Sequence, residues 1–207
     1  MDHNSFINSL TFKNVNESDV ERAFQLEIEG FPPEEAFTIE RYRYIQSAAP
    51  TLFLGAYFSD SSSTSFSKLI LIGTIMSTLA DAPKFTKESM SNHNHFGKTV
   101  CIHTVCVDKQ YRGRGIALCM LKEYIKRLKN ESQNKDMNGK YERVALICHE
   151  HLIPLYQKAG FTLMGESEII YGIIPDLRDE DFELDKSSRI NDGAESRLWI
   201  FDDNYML

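Results

Sequence analysis

Runs of apolar residues, alternating or nearly continuous, predict at least seven β-strands along the chain. Each run is rich in β-branched or aromatic residues and is bounded by polar or turn-forming positions. The predicted strands span residues 10–15, 51–58, 68–79, 99–107, 143–148, 162–174 and 197–203. The fifth run, RVALIC, is almost uninterruptedly apolar, which is typical of a parallel or central strand. The sixth run has room for one strand or two.

Apolar residues at helical spacing predict four helices between these strands. The apolar face of the first helix consists of Val20, Ala23, Phe24, Ile28 and Phe31. Ser18 and Glu21 fit a capping box at its start, and Pro32 stops it. The other predicted helices follow at 34–49, 117–128 and 152–161.

The resulting order is β-α-α-β-β-β-α-β-α-β-β, which predicts an α/β fold with a mixed sheet. No repeat or linker divides the chain, so residues 1–207 are interpreted as a single domain. Polar segments at 60–67, 80–98 and 130–142 are predicted loops, and the acidic segment 175–196 is a further surface loop.

Composition narrows the possible partners. The formal net charge is −7, which repels phosphate backbones, so nucleic acid is not expected as a partner. An acidic surface is compatible with small cationic ligands. The first residues, MDHNSFINSLTF, lack the features of a signal peptide, and no apolar run is long enough to cross a membrane. A cytoplasmic protein without membrane contact is expected. The four cysteines form no CxxC pair, which predicts buried, reduced thiols.

The segment RGRGIA, residues 112–117, joins the strand at 99–107 to the next helix. Backbone N–H groups in the first turn of a helix lack intrahelical partners, and the helix dipole is positive there. Gly113 and Gly115 allow a phosphate to approach the backbone, while Arg112 and Arg114 add positive charge. The segment is neither a Walker loop nor a GxGxxG fingerprint. It is interpreted as a phosphate-binding turn; an ordinary strand-to-helix turn with solvated arginines is the alternative.

This segment resembles the Q/R-x-x-G-x-G/A motif of the GNAT superfamily of acetyl-CoA-dependent N-acetyltransferases. HEHLIPLYQKAGF, residues 149–161, is similar to a second segment of that superfamily. A closer resemblance is to the arylalkylamine (serotonin)/polyamine N-acetyltransferase branch. CIHTVCV at 101–107 stands where that branch has H-x-H-x-L-x-V, and LYQKAGF at 155–161 where it has F-Y-Q-R-x-G-F. With EGFPPEEAF and APTLFLGAYF, the resemblance extends roughly from residue 10 to residue 174.

The resemblance implies a single acyl-CoA N-acyltransferase domain that transfers acetyl from acetyl-CoA to small primary amines, arylalkylamines or polyamines. Transfer would be direct, through a tetrahedral intermediate, with acetyl-CoA as cosubstrate and no metal. The pantetheine arm would lie along the backbone of Val105, Cys106 and Val107. The phosphates would lie against Arg112, Gly113, Arg114, Gly115, Ile116, Ala117 and Leu118. Phe31, Pro32 and Ile147 would line the amine pocket.

An alkylammonium titrates near 10.4, as lysine does, so the reaction needs a base at neutral pH. His103 is the candidate base, since an ordinary imidazole titrates near neutrality. Period-two alternation predicts that His103 shares a strand face with Cys101, Val105 and Val107. The resemblance implies that Tyr156 protonates the leaving thiolate.

Cys101 stands where the relatives have the first of two histidines, so a substitute carboxylate is considered. Glu34 or Glu35 would fill this role by resemblance to insect members of the family, and Glu34 is the candidate chosen here. His149 and His151 lack a third ligand at metal spacing and are expected to be structural.

Two other functions stay open. One is a protein acetyltransferase for lysine tails or N-termini, and the other is a non-catalytic acyl-CoA-binding sensor. The expected partner is a small cationic amine bound by a monomer.

Overall fold

A computed structural model describes residues 3–60, 68–82, 87–133, 140–166 and 198–202 of the chain. Within these ranges the backbone forms seven strands, each matching a predicted one. They are β1 Leu10–Asn14, β2 Phe53–Asp60, β3 Lys68–Ala80, β4 Thr99–Val107, β5 Arg143–His149, β6 Thr162–Glu166 and β7 Leu198–Asp202. The predicted mixed sheet is therefore confirmed. The segment 167–174 and the acidic segment 175–196 lie outside the described residues.

The strands form one sheet in the order β1-β2-β3-β4-β5-β7-β6. Neighbouring strands are antiparallel except β4 and β5, which run parallel, as the apolar pattern of β5 indicated. Pairing between β4 and β5 covers Thr99 to Ile102 on one strand and Arg143 to Leu146 on the other. Both strands continue beyond this short ladder, so a cleft opens between their carboxyl ends.

Helices cover both faces of the sheet. They are α1 His3–Asn8, α2 Val20–Gly30, α3 Ile39–Ala48, α4 Lys87–Ser91, α5 Ile116–Ser132 and α6 Ile153–Ala159. α2, α3 and α4 pack on one face of β3 and β4, and α5 packs on the other face and against α6. A Cβ added at Gly73 of β3 would lie 2.7 Å from Met120 Sδ of α5, so helix and sheet approach closely there.

A β-bulge interrupts β4 at the centre of the sheet. Ile102 pairs with Ser77 of β3 and Thr104 pairs with Met76, so His103 is an extra residue in β4. A bulge changes the alternation of side chains beyond it. The prediction that Cys101, His103, Val105 and Val107 share one face is therefore wrong for the last two. Thr104 and Cys106 instead point to the face that α2 and α3 cover.

The first helices differ from their prediction in three ways. A 3₁₀ turn, Glu17–Asp19, precedes α2, so Ser18 is not the cap of that helix. α3 begins at Ile39 and not at residue 34, because the Thr38 side chain accepts a hydrogen bond from Arg41 N and caps it there. In α2, Ile28 is 46% exposed whereas Glu27 is completely buried. A carboxyl group thus replaces an expected apolar residue in the core.

The short helices α1 and α4 were not predicted, because each has too few residues for a periodic pattern to emerge. Phe6 of α1 is buried against Phe58 and Tyr111, with ring centroids 5.1 and 5.9 Å away. Tertiary packing therefore holds α1 in place. None of the helices in the described ranges is long and apolar enough to span a membrane.

Candidate active site

The cleft between the diverging ends of β4 and β5 is the candidate active site. Its lining comes from the loop after α2, from both strands, and from the start of α6. The lining residues are Phe31, Ile102, His103, Thr104, Val105, Leu146, Ile147, Cys148, His149, Leu152 and Tyr156. Of the residues predicted for catalysis and substrate, the structure thus brings together His103, Tyr156, Phe31 and Ile147. Pro32 is exposed and does not line the cleft.

The predicted phosphate turn follows directly on β4. Gly113 and Gly115 have φ angles of +75° and +70°, a left-handed conformation that glycine adopts without strain. Gly115 is the N-cap of α5, so the first N–H groups of a 17-residue helix lie at this turn without intrahelical partners. A Cβ added at Gly113 would meet nothing within 4 Å, so the turn is open to an approaching group. These features fit a bound pyrophosphate.

The two arginines of this turn make contacts within the protein. Arg112 Nε donates to Val107 O over 2.9 Å, which ties the turn to the end of β4. The Arg114 guanidinium lies over the rings of Phe6 and Tyr111, at 5.1 and 5.6 Å from their centroids. Both residues are exposed, so their charge still contributes to the potential at the turn.

The β4 wall of the cleft holds a half-buried histidine, His103. Its Nε2 lies 2.7 Å from Thr78 Oγ1, and the ring of Phe37 packs edge-on against it at 5.8 Å. Burial, together with the nearby charges of Arg41 and His93, lowers the pKa of His103 to about 3. Arg41 is itself buried, and its guanidinium donates to Ser91 O. His103 is therefore a neutral imidazole at physiological pH.

The β5 wall of the cleft ends at His149, which has a different partner. His149 Nε2 lies 2.9 Å from Glu35 Oε2. The His149 side chain is 23% exposed and the Glu35 side chain only 8%. The neighbouring Glu34, the residue chosen from the sequence, is exposed on the surface. Glu35 is thus the glutamate that faces the cleft residues.

The loop between α2 and α3, residues 31–38, touches both walls, and we call it the proline loop. Glu35 N donates to Pro32 O over 3.0 Å, which closes a turn after the two prolines. Phe37 N donates to the buried Glu27 Oε1, also over 3.0 Å. These bonds fix the loop so that Phe37 covers His103 while Glu35 reaches His149.

Glu27 lies beneath the β4 wall and organises several of these elements. Besides the Phe37 amide, its carboxyl accepts hydrogen bonds from the Tyr42 hydroxyl and the Cys106 thiol. Burial raises the pKa of Glu27, while these hydrogen bonds oppose the rise. A buried carboxyl without donors would be strongly destabilising, so this network makes the burial of Glu27 tolerable.

Tyr156 of α6 lies against the cleft from the β5 side. It is 6% exposed and packs edge-on against Phe161, with centroids 5.9 Å apart. α6 ends at Gly160, whose φ of +106° allows the chain to turn back into β6. The motif LYQKAGF thus builds a short helix that holds one tyrosine at the cleft.

The cysteines are free thiols, and three of the four are buried, which agrees with the prediction for those three; Cys119 is half-buried. Cys101 is completely buried, and burial raises its pKa to about 12. A thiol in this state is a poor nucleophile. Cys106 directs its thiol to Glu27, so only its backbone is available to the cleft.

Sequence reasoning missed the roles of Glu27 and His149. Glu27 follows Ala23 and Val20 at helical spacing, which marks it as inward-facing despite its charge. The pairing of His149 with Glu35 joins residues 114 positions apart, and no local pattern carries that signal.

Comparison with known proteins agrees with this geometry. The sequence profile of the Acetyltransferase (GNAT) family matches residues 20–161. Serotonin N-acetyltransferase of Mesocricetus auratus is 24% identical over 164 residues, which cover 78% of this chain and 72% of that protein. Arabidopsis thaliana NAA60, solved with acetyl-CoA, superposes with a TM-score of 0.60 at 20% identity, covering 96% of this chain and 99% of that one.

A NatC complex solved with Gag peptide and CoA also has the same fold, with a TM-score of 0.60 at 18% identity. That match covers 94% of this chain and 97% of the other. Because the family profile spans more than half of the sequence and the cleft has the expected form, the chain belongs to the GNAT family of acetyl-CoA-dependent N-acetyltransferases.

Proposed function

We propose that this acetyltransferase acts on small primary amines, either arylalkylamines or polyamines. The observation that carries the proposal is the narrow cleft between β4 and β5, which joins apolar walls to a carboxylate–histidine pair. Apolar walls accommodate the body of an amine, and a buried carboxylate attracts its charge. Similarity to serotonin N-acetyltransferase over most of the chain supports the same substrate class.

The residues at the cleft fit acetyl-CoA as cosubstrate, which supplies the acetyl group as a thioester. Beyond Ile102, the edge of β4 that faces β5 has no ladder partner among the described strands. The backbone of Val105 to Val107 is therefore suited to hydrogen bonds with a pantetheine arm. The turn from Gly113 to Leu118 would hold the pyrophosphate at the start of α5.

The same backbone edge would stabilise negative charge on the thioester oxygen, because fixed N–H donors are effective in a water-poor site. The Tyr156 hydroxyl would donate a proton to the departing thiolate. Phe31 and Ile147 would contact the body of the amine, and Leu152 would close the cleft beside them.

A second candidate is acetylation of a peptide amine. It is favoured by the NatC complex, a structural neighbour that was solved with a peptide. The net charge of −7 would also suit a basic peptide. A peptide substrate needs an open groove for several residues, whereas a small amine needs only the cleft.

Thiol release from acetyl-CoA tests the proposal. The purified protein is incubated with tryptamine, phenethylamine, spermidine or a histone peptide, and the acetylated products are identified by mass spectrometry. We expect product with at least one of the small amines and little with the peptide. Turnover of the peptide alone would overturn the small-amine proposal. Tight CoA binding without any turnover would indicate a sensor.

A further inference from the structure

We propose that Glu35 and His149 together accept the proton of the amine substrate, and that His103 does not have this role. The inference rests on the proposed function, in that an amine nitrogen must reach the cleft between β4 and β5. Glu35 is one of the two glutamates that the resemblance offers as a substitute base, whereas His149 was expected to be structural. Their contact appears only in the folded chain.

The geometry resembles other carboxylate–histidine pairs in proton transfer. With Nε2–H donated to Glu35 Oε2 over 2.9 Å, the lone pair of the imidazole lies on Nδ1. Glu35 then stabilises the positive charge that develops when His149 takes up a proton. His149 lines the cleft, so the amine can reach it directly or through one water molecule.

Glu35 is held in place by the fold and not by the contact with His149 alone. Its backbone N–H donates to Pro32 O, and the adjoining Phe37 N–H donates to the buried Glu27. The Glu35 side chain is only 8% exposed, so few water molecules compete for its oxygens. A buried carboxylate needs a proton donor or a cation as partner, and His149 is that partner here.

The environment of His103 opposes the same role. Its Nε2 lies 2.7 Å from the Thr78 hydroxyl, and Phe37 covers the ring. Protonation would place a second positive charge near the buried Arg41. At His149, by contrast, the carboxylate of Glu35 lies beside the ring and offsets such a charge.

In the proposed step the amine nitrogen loses two protons, one to His149 and one to Tyr156. The alkylammonium gives one proton to His149, and its nitrogen then attacks the thioester carbonyl carbon. The C–N bond forms, the C–S bond breaks, and Tyr156 protonates the sulfur. The second nitrogen proton restores the Tyr156 hydroxyl, and His149 releases the first proton to solvent. The products are the amide, CoA thiol and one free proton.

Two amines of nearly equal shape test this assignment. Phenethylamine is almost entirely protonated at neutral pH, whereas β,β-difluorophenethylamine is largely neutral because fluorine withdraws electrons. Loss of a base should slow acetylation of the first substrate far more than that of the second. For Glu35→Gln we expect kcat/KM to fall by about a hundredfold with phenethylamine and by only about fivefold with the difluoro compound. His149→Gln should show the same difference between the two amines, and it provides the test if Glu35→Gln does not fold.

The control is Glu17→Gln, the same chemical change at an exposed position before α2. It should leave both rates within about twofold, since it lies outside the cleft. Equal losses with both amines for Glu35→Gln and His149→Gln would overturn the inference while the proposed function stands. The inference would also be overturned if kcat/KM with phenethylamine fell selectively in Glu34→Gln or His103→Gln but not in Glu35→Gln or His149→Gln. If the unaltered enzyme acetylates only a peptide, the proposed function fails, and the same variants are compared on peptides with α-amino groups of different basicity.

Discussion

Each wall of the cleft carries one histidine on a core strand, and the two histidines have different neighbours. His103 on β4 is half-buried, lies 2.7 Å from the Thr78 hydroxyl and is near the buried Arg41. His149 on β5 is partly exposed and bonded to a buried carboxylate. One wall therefore disfavours a charged imidazole, whereas the other places a carboxylate beside its histidine. The residue type alone does not determine which histidine can act as a base.

The proline loop produces this difference. Its Phe37 removes water from His103, and two residues earlier its Glu35 supplies a negative charge to His149. The loop in turn depends on Glu27, which holds the Phe37 amide. A buried carboxyl in α2 thus supports both walls, and changes in the loop should affect the walls in opposite ways.

The largest expected effect concerns the β5 side. Tyr156→Phe retains the ring that packs against Phe161 but removes the hydroxyl that would protonate the thiolate. We expect kcat to fall by about a hundredfold while the affinity for CoA is unchanged. Steady-state kinetics with calorimetric titration of CoA measures both. If the Tyr156→Phe enzyme has a normal kcat, Tyr156 does not protonate the departing thiolate.

A smaller effect, on the free energy of unfolding, is expected when Glu27 beneath the β4 wall is changed. Glu27→Gln keeps the shape of the side chain but cannot accept hydrogen bonds from the Phe37 amide, the Tyr42 hydroxyl and the Cys106 thiol together. We expect the free energy of unfolding to fall by about 2 kcal/mol, as for a buried donor left without an acceptor. Urea denaturation measures the change.

The matched control is Glu29→Gln on the same helix, where the side chain is 40% exposed and lies 4.0 Å from Arg22. A surface pair of this kind contributes little, so its stability should be nearly unchanged. If the two variants are equally stable, Glu27 does not support the loop.

The smallest expected effect is the change in stability that His103 on the β4 wall contributes as the pH falls. The pKa of His103 is about 3 in the folded chain against an ordinary 6.5, so the unfolded chain binds more protons between these values. Stability contributed through His103 is therefore complete above about pH 6.5 and declines as the pH falls toward 3. His103→Gln should flatten this part of the profile. Thermal melts of the unaltered protein and of His103→Gln are compared between pH 3 and pH 6.5, so that the contributions of the other titrating groups cancel. Parallel profiles would show that His103 is not held neutral by burial.

The sequence predicted the strands and the glycine turn before α5 because their signals are local. Alternation in β1 to β4 and the RGRGIA turn each depend on residues within one or two elements. The resemblance to acetyltransferases rested on the same segments, and the GNAT profile confirmed it.

The proton route could not be predicted in the same way. The bulge at His103 follows from pairing with β3, which shifts register between Met76 and Ser77. The choice between Glu34 and Glu35 depends on a turn closed by Pro32 O, and adjacent glutamates are indistinguishable in a sequence. Long-range contacts, and not residue type, decide the chemistry of this cleft.

The most direct test compares His149→Gln and His103→Gln in acetyl transfer to the amine that the unaltered enzyme uses best. Both variants keep a polar side chain of similar size, so kcat/KM reports the loss of imidazole chemistry on each wall. Assignment of the base to His149 predicts a loss of about a hundredfold for His149→Gln and a loss at least about tenfold smaller for His103→Gln. The reverse order would contradict it and would return the base to the β4 wall.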